Sequence, residues 1–186
     1  GNPQHLVNGF CWGLDGWLHG ANGDSGGQIS SPKSGKKLDM GTSDFRLNPA
    51  TGDFALEGGR SQNGKWRDDW GNWFGNNNSN PLWHYTLDDR YLRRNQHFTA
   101  PPIKKQVSVN PGAAPVYPKS KTLTRFNDDN KANRFTSACG PTLYRDDLLG
   151  SEFRLCVGAP FVGARFGGYG LVNEFSVEPE VVHYRH

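Results

Sequence analysis

No stretch of this sequence approaches the roughly 18 apolar residues of a membrane-crossing helix, and the mean hydropathy of -0.73 agrees with that absence. The first residues, Gly1, Asn2, Pro3, Gln4 and His5, lack the basic-then-apolar order of an export signal, so Gly1 is not expected to be a natural start. Cysteine is scarce. Cys11, Cys139 and Cys156 lie far apart and form no CxxC, CxxCH or Cys/His ligand spacing, which disfavours structural zinc and covalently held haem c within this chain. Cys11, in Gly-Phe-Cys-Trp-Gly, reads as a buried, inert thiol; a single disulfide stays open. Excess charge is missing too: 21 Lys+Arg against 18 Asp+Glu leave a net +3, and the basic residues are scattered. A pI near 8.8 therefore does not mark a nucleic-acid partner. Helical periodicity is absent as well, because Gly, Pro, Asn and aromatic residues interrupt every window long enough to show it.

What is present is a soluble, globular composition rich in Gly (24), Pro (12) and Trp (6) over 186 residues, the length of about one domain. Short strands and turns remain as the reading. Phe10 to Leu14, then Asp15-Gly16, then Trp17 to Ala21 predicts a hairpin, since Asp-Gly tolerates the positive φ of a tight turn. Phe45-Arg46-Leu47 and Phe54-Ala55-Leu56 flank a turn set by Pro49 and Gly52 and predict a second. Leu82 to Leu87 and Arg90 to Arg93, around Asp88-Asp89, predict a third. Asp15-Gly16-Trp17-Leu18 is echoed by Gly71-Asn72-Trp73-Phe74, with Trp17 and Trp73 56 positions apart, and both stretches run into Asn-rich loops. That period is slightly longer than the roughly 40 to 50 residues of a four-stranded propeller blade. Two unrelated Trp-bearing hairpins in a β-sandwich are the alternative. Pro101, Pro102, Pro111, Pro115 and Pro118 then mark a long connection.

Four blocks carry a family resemblance: residues 2–27, containing Phe10-Cys11-Trp12-Gly13-Leu14-Asp15-Gly16-Trp17; residues 45–52; residues 68–85, containing Trp70-Gly71-Asn72-Trp73-Phe74-Gly75-Asn76-Asn77-Asn78; and residues 134–145. In that order they resemble the propeller region of membrane-bound dehydrogenases called PVC-type haem-binding proteins, exported bacterial proteins whose propeller is similar to glucose/sorbosone dehydrogenases. The resemblance spans about residues 1 to 153. It implies an all-β fold, a partial β-propeller of about two to three and a half blades: residues 1–98 as two blades, 99–133 as the Pro-rich connection or an insertion, and 134–186 as a partial blade with an atypical tail. The family's haem motif is absent here, so haem c would lie on a missing domain or another protein.

The resemblance also implies a quinoprotein-type sugar or alcohol dehydrogenase that uses pyrroloquinoline quinone and calcium, in a periplasmic or secreted location, with an electron acceptor elsewhere. In such chemistry a neutral His takes the hydroxyl proton while hydride passes to the quinone, and Arg stabilises the developing charge. His5 and Asn8 are the catalytic candidates, just before a strand. Gln4, Arg67, Arg134 and Ser137 are the cofactor-binding candidates, and Asn22 and Asp24 the calcium candidates. Plainer roles stand beside these: His5 and Asn8 bonding loop backbone, and the Asn-rich loops forming Asx-turns. Trp12, Trp17 and Trp73 are expected to wedge between blades, and His19 and His84 to pack among aromatic residues. A noncatalytic carbohydrate- or protein-binding propeller is the rival function. An open arc would expose blade faces and strand edges, which predicts self-association.

Overall fold

The computed structural model describes residues 5–80, 82–92, 94, 95, 97, 99, 101–107, 115, 116, 133, 134, 138–143, 145, 146, 148, 157 and 158. Within them the chain is all-β apart from one helical turn. The strands are β1 (Asn8–Trp12), β2 (Leu18–Ala21), β3 (Gln28–Ser30), β4 (Lys37–Asp39), β5 (Asp44–Leu47), β6 (Phe54–Glu57), β7 (Lys65–Arg67), β8 (Trp73–Gly75), β9 (Trp83–Tyr85), β10 (Lys104–Gln106), β11 (Pro115–Val116), β12 (Asn133–Arg134), β13 (Thr142–Leu143) and β14 (Val157–Gly158), with α1 (Asp89–Leu92) after β9. A first sheet runs β1-β2-β5-β6 and a second runs β7-β8-β9-β10, antiparallel throughout. β3 and β4 pair only with each other, as a ribbon inserted between β2 and β5, and β11–β12 and β13–β14 are two-stranded pairs.

The turns follow from local chemistry. Gly16 adopts φ 75° and Asp15 Oδ1 accepts a hydrogen bond from the Trp17 N–H (3.1 Å), closing the β1–β2 hairpin. In the corresponding β7–β8 turn Asp68 Oδ1 accepts from the Trp70 and Asn72 N–H groups (3.0 and 2.8 Å), while Gly71 takes φ 88°. Between β5 and β6, Asn48 Oδ1 accepts from Ala50 N–H (2.9 Å) and Gly52 takes φ 76°. The third predicted hairpin does not form. Asp88 instead starts α1, its Oδ1 accepting from Arg90 N–H (3.0 Å) and its carbonyl from Tyr91 N–H (2.9 Å). An acid before a short polar run serves a helix start as well as a turn, and β9 finds its partner in β10, beyond residue 98.

β1, β7 and β13 lie side by side, the leading strands of three successive units. Glycine permits the approach. A Cβ on Gly9 would stand 2.4 Å from the Gly64 Cα, and one on Gly64 would stand 2.9 Å from the Gly140 Cα. These three residues carry φ of 62°, 99° and 58°, a region costly to a side chain. Asn8 Oδ1 accepts from Gly64 N–H (2.7 Å), and the Asn63 carbonyl accepts from Gly140 N–H (2.7 Å), so each unit is tied to the next at its first strand.

The first sheet has two unlike faces. Cys11, His19, Asp44 and Glu57 point toward the second sheet, where Lys65, Trp73 and Tyr85 meet them. The opposite face holds the cross-strand row Trp12-Leu18-Leu47-Phe54 and the row Gly20-Phe45-Leu56. Phe10 caps that second row, its ring meeting Phe45 edge-on at 6.1 Å across the side-chain-free Gly20. Trp73 wedges between the sheets as expected, stacked on His19 at 4.2 Å, but Trp12 lies 56% exposed on the opposite face. His84 stacks on Phe74 at 5.1 Å.

Candidate functional site

The leading strands gather two sets of groups at their two ends. At the N-terminal end of β1 and β7 lie His5, Asn8, the loop from Asn22 to Gly26, Arg60 to Asn63, and the loop from Asn76 to Asn80. The loops are tied to the segment leading into the next unit: Gly23 N–H donates to the Ser61 carbonyl (3.0 Å), and Ala138 N–H donates to that of Asn78 (3.2 Å). His5 is half-buried, and its Nε2 lies 3.4 Å from Nε2 of the buried Gln62. Gln62 Oε1 accepts from Asn78 N–H (2.9 Å), joining that pair to the second Asn-rich loop.

The candidates fall out unequally. Asn8 is spent on backbone: besides its bond from Gly64, its Nδ2 donates to the Leu6 and Gln62 carbonyls (both 2.8 Å). Asn22 is fully buried, its Nδ2 donating to the Ser43 carbonyl (2.8 Å) and its Oδ1 accepting from Gly26 N–H (2.9 Å). Asp24, at φ 71°, pairs with Arg60 (2.8 Å). With Asn22 saturated by backbone and Asp24 neutralised by a guanidinium, the two do not fit a calcium shell, which takes six to eight oxygens. No cluster of three or more His, Cys, Asp or Glu among the described residues is spaced for a metal ion.

Arg67 stands at the opposite end of β7, donating from Nε to the Trp12 carbonyl (2.6 Å) and from Nη1 to that of Asp68 (2.9 Å). There Asp69 pairs with Arg145 (2.8 Å). Arg134 lies in β12, and Gln4 and Ser137 fall outside the described residues. Arg67 thus stands a strand length from His5, at the other end of the leading strands.

Sequence reasoning missed a buried ionic seam between the sheets. Lys65 Nζ lies 2.8 Å from Glu57 Oε2 and 3.4 Å from Asp44 Oδ2, with all three side chains at most 7% exposed. Asp44 also accepts from the Asn22 and Ser61 N–H groups and the Ser61 hydroxyl, each at 2.9 Å. Ser61 Oγ lies 2.9 Å from Tyr85 Oη. His19 bridges Glu57 Oε1 (2.6 Å) and Asp15 Oδ1 (3.1 Å), and Asp15 Oδ2 takes Arg46 (2.7 Å). Burial works against the Glu57 carboxylate, but Lys65 and His19 outweigh it and hold its pKa at about 2. Burial opposes the Lys65 charge as well, yet Glu57 and Asp44 raise its pKa. Burial and the Asp44 charge push Tyr85 upward, keeping its hydroxyl protonated, and burial raises the Cys11 thiol. Lys65, Glu57, Asp44 and Ser61 are buried and paired with one another, so the seam joins the two sheets. Lys plus alternating acids on separate short strands gave no sequence signal for it.

A cleft of about 210 Å³ runs along the leading strands, where Gly9, Gly64 and Gly140 are flanked by Phe10, Trp66 and Thr142.

These features define an all-β protein of successive antiparallel sheet units joined at their first strands. The chain belongs to the family described as a domain of unknown function, DUF7133, whose model matches residues 1–186. No curated protein and no solved structure matches it.

Proposed function

We propose that the chain is an arc of a β-propeller that binds a neutral polyhydroxy ligand, a sugar or alcohol, at its Asn-rich end. The observation that carries this reading is the placement of β1, β7 and β13 side by side, which brings His5, Gln62 and the loops after β2 and β8 to one end of three units. Amides and a half-buried imidazole suit hydroxyl groups, which both donate and accept, and carry no fixed charge to attract an anion. The two four-stranded sheets support the propeller reading, since each has the strand count of one blade.

Oxidation of that ligand is the second reading, favoured by His5, whose ring stays half-exposed at the same end. Its quinone would need partners other than Arg67. Titration of the full chain with aldoses and polyols tests the first reading: saturable binding that His5→Ala and Gln62→Ala weaken at least tenfold is expected, and no binding to any of them overturns it. Dye reduction with added pyrroloquinoline quinone and calcium separates the two; binding without reduction leaves a noncatalytic binder.

A further inference from the structure

We propose that a single sugar ring binds between the second and third units, in the cleft along β7 and β13, with Asn76 reading its hydroxyl groups. The proposal rests on the reading of the Asn-rich end as a polyhydroxy site and says where in it the ring sits. Asn22 and Asn76 each follow the second strand of a unit, and each is fully buried. Asn22 is spent on backbone: its Nδ2 donates to the Ser43 carbonyl (2.8 Å) and its Oδ1 accepts from Gly26 N–H (2.9 Å). The Asn76 amide has no hydrogen-bond partner for Nδ2 or Oδ1 among the described residues, and neither has the enclosed indole Nε1 of Trp66. A buried donor or acceptor without a partner costs folding free energy, so three such atoms on one face mark a place where a bound molecule supplies the partners.

Both side chains stand on the face of the second sheet turned away from the first. A Cβ on Gly75 would meet Ser61 Oγ and Tyr85 Oη, on the first-sheet side, so the pleat sends its neighbour Asn76 the other way. Lys65 likewise turns to the first sheet, which leaves Trp66, paired with Phe74, on the side of Asn76. There the cleft of about 210 Å³ runs past Gly64 and Trp66 to Gly140, Pro141 and Thr142 of the third unit. An apolar cavity of roughly 150 Å³ takes benzene, so this one has room for a six-membered ring with substituents. Pro141 and the Trp66 indole give the ring apolar contact, and an amide that both donates and accepts matches hydroxyl groups that do the same. Lys65 also borders the cleft, but its charge is committed to Glu57 and Asp44 on the other face, so the cleft selects a neutral ligand. Asn76 is closed to water, and residues 77–80 cover it as a turn bonded to itself, Asn77 N–H to the Asn80 carbonyl (3.1 Å) and Asn80 N–H to that of Asn77 (3.2 Å). That turn moves as a unit to admit the ring.

Calorimetric titration of hexoses into the full chain, read beside urea unfolding, is the test, because a ligand-binding amide and a structural one answer in opposite directions. Asn76→Leu exchanges the unpartnered amide for an apolar side chain of similar shape; the expected result is a higher unfolding midpoint together with hexose binding weakened at least tenfold. Asn22→Leu, which strips bonded groups, lowers the midpoint instead. Thr142→Trp, at an exposed position of β13, fills the cleft and weakens binding at least tenfold with an unchanged midpoint. Hexose binding that survives either Asn76→Leu or Thr142→Trp overturns the proposal and leaves the ligand reading standing, as does an Asn76→Leu midpoint below that of the native chain. A native chain that binds no hexose overturns both.

Discussion

The two faces of the first sheet invert the usual relation between burial and polarity. On the face turned to the second sheet His19, Asp44 and Glu57 are buried, while on the opposite face the apolar Phe10 and Trp12 are exposed and Leu47 and Phe54 half-buried. Apolar residues are ordinarily the buried ones and charged residues the exposed ones. The difference concerns what each face can select. A buried pair of carboxylates accepts one kind of neighbour, a surface that brings a cation to within hydrogen-bonding distance, and Lys65 on β7 is that cation. An apolar face accepts any shape-matched apolar surface. The seam thus specifies which sheet sits beside the first, at a cost in desolvation that an apolar contact would avoid.

Removing the cation breaks the comparison most severely. Lys65→Met leaves Asp44 and Glu57 buried without a counter-ion, and the expected loss is about 3–5 kcal/mol in urea unfolding. Acid acts on the same seam. The folded-state pKa of Glu57, about 2, lies below the ordinary value of 4.5, so its contribution is present above the ordinary value and is lost as pH falls through the folded one. A stability profile should therefore decline between about pH 4.5 and 2, by about 3 kcal/mol, and Glu57→Gln should flatten that decline. The approach of units at their leading strands is the next largest effect. Gly64→Ala forces a side chain into φ 99° and toward the Gly140 backbone, and about 1–3 kcal/mol should be lost in the same assay. The exposed Trp12 gives the smallest change: Trp12→Ser should alter unfolding by less than about 0.5 kcal/mol, since the side chain has little to lose there.

Much of the local structure was legible. Asp15-Gly16 announced its hairpin, and the Trp and Asn echo, 56 positions apart at Trp17 and Trp73, marked units whose second strands are each followed by a fully buried asparagine, Asn22 and Asn76. Period-two alternation located β5 and β6. The β3–β4 ribbon was not legible, because Gln-Ile-Ser and Lys-Leu-Asp are too short to show alternation. Asp88-Asp89 misled because the same acid opens a turn or a helix. The site was legible only in part. His5 and Asn22 do come to one end, but strand direction separates them from Arg67, and direction is a property of the assembled sheets. The seam was hidden for the same reason: Asp44, Glu57 and Lys65 are ordinary surface residues in a one-dimensional reading, and only the cross-strand register of β5 and β6 places both acids on one face, opposite β7.

The claim that this seam seats the second sheet on the first rests on the coupling between its members. A double-mutant cycle of Glu57→Gln and Lys65→Met, followed by urea unfolding, measures that coupling directly. The account predicts that the double variant is more stable than the sum of the single losses allows, with a coupling of about 2 kcal/mol or more. Additive losses, with no coupling between the two sites, would contradict it.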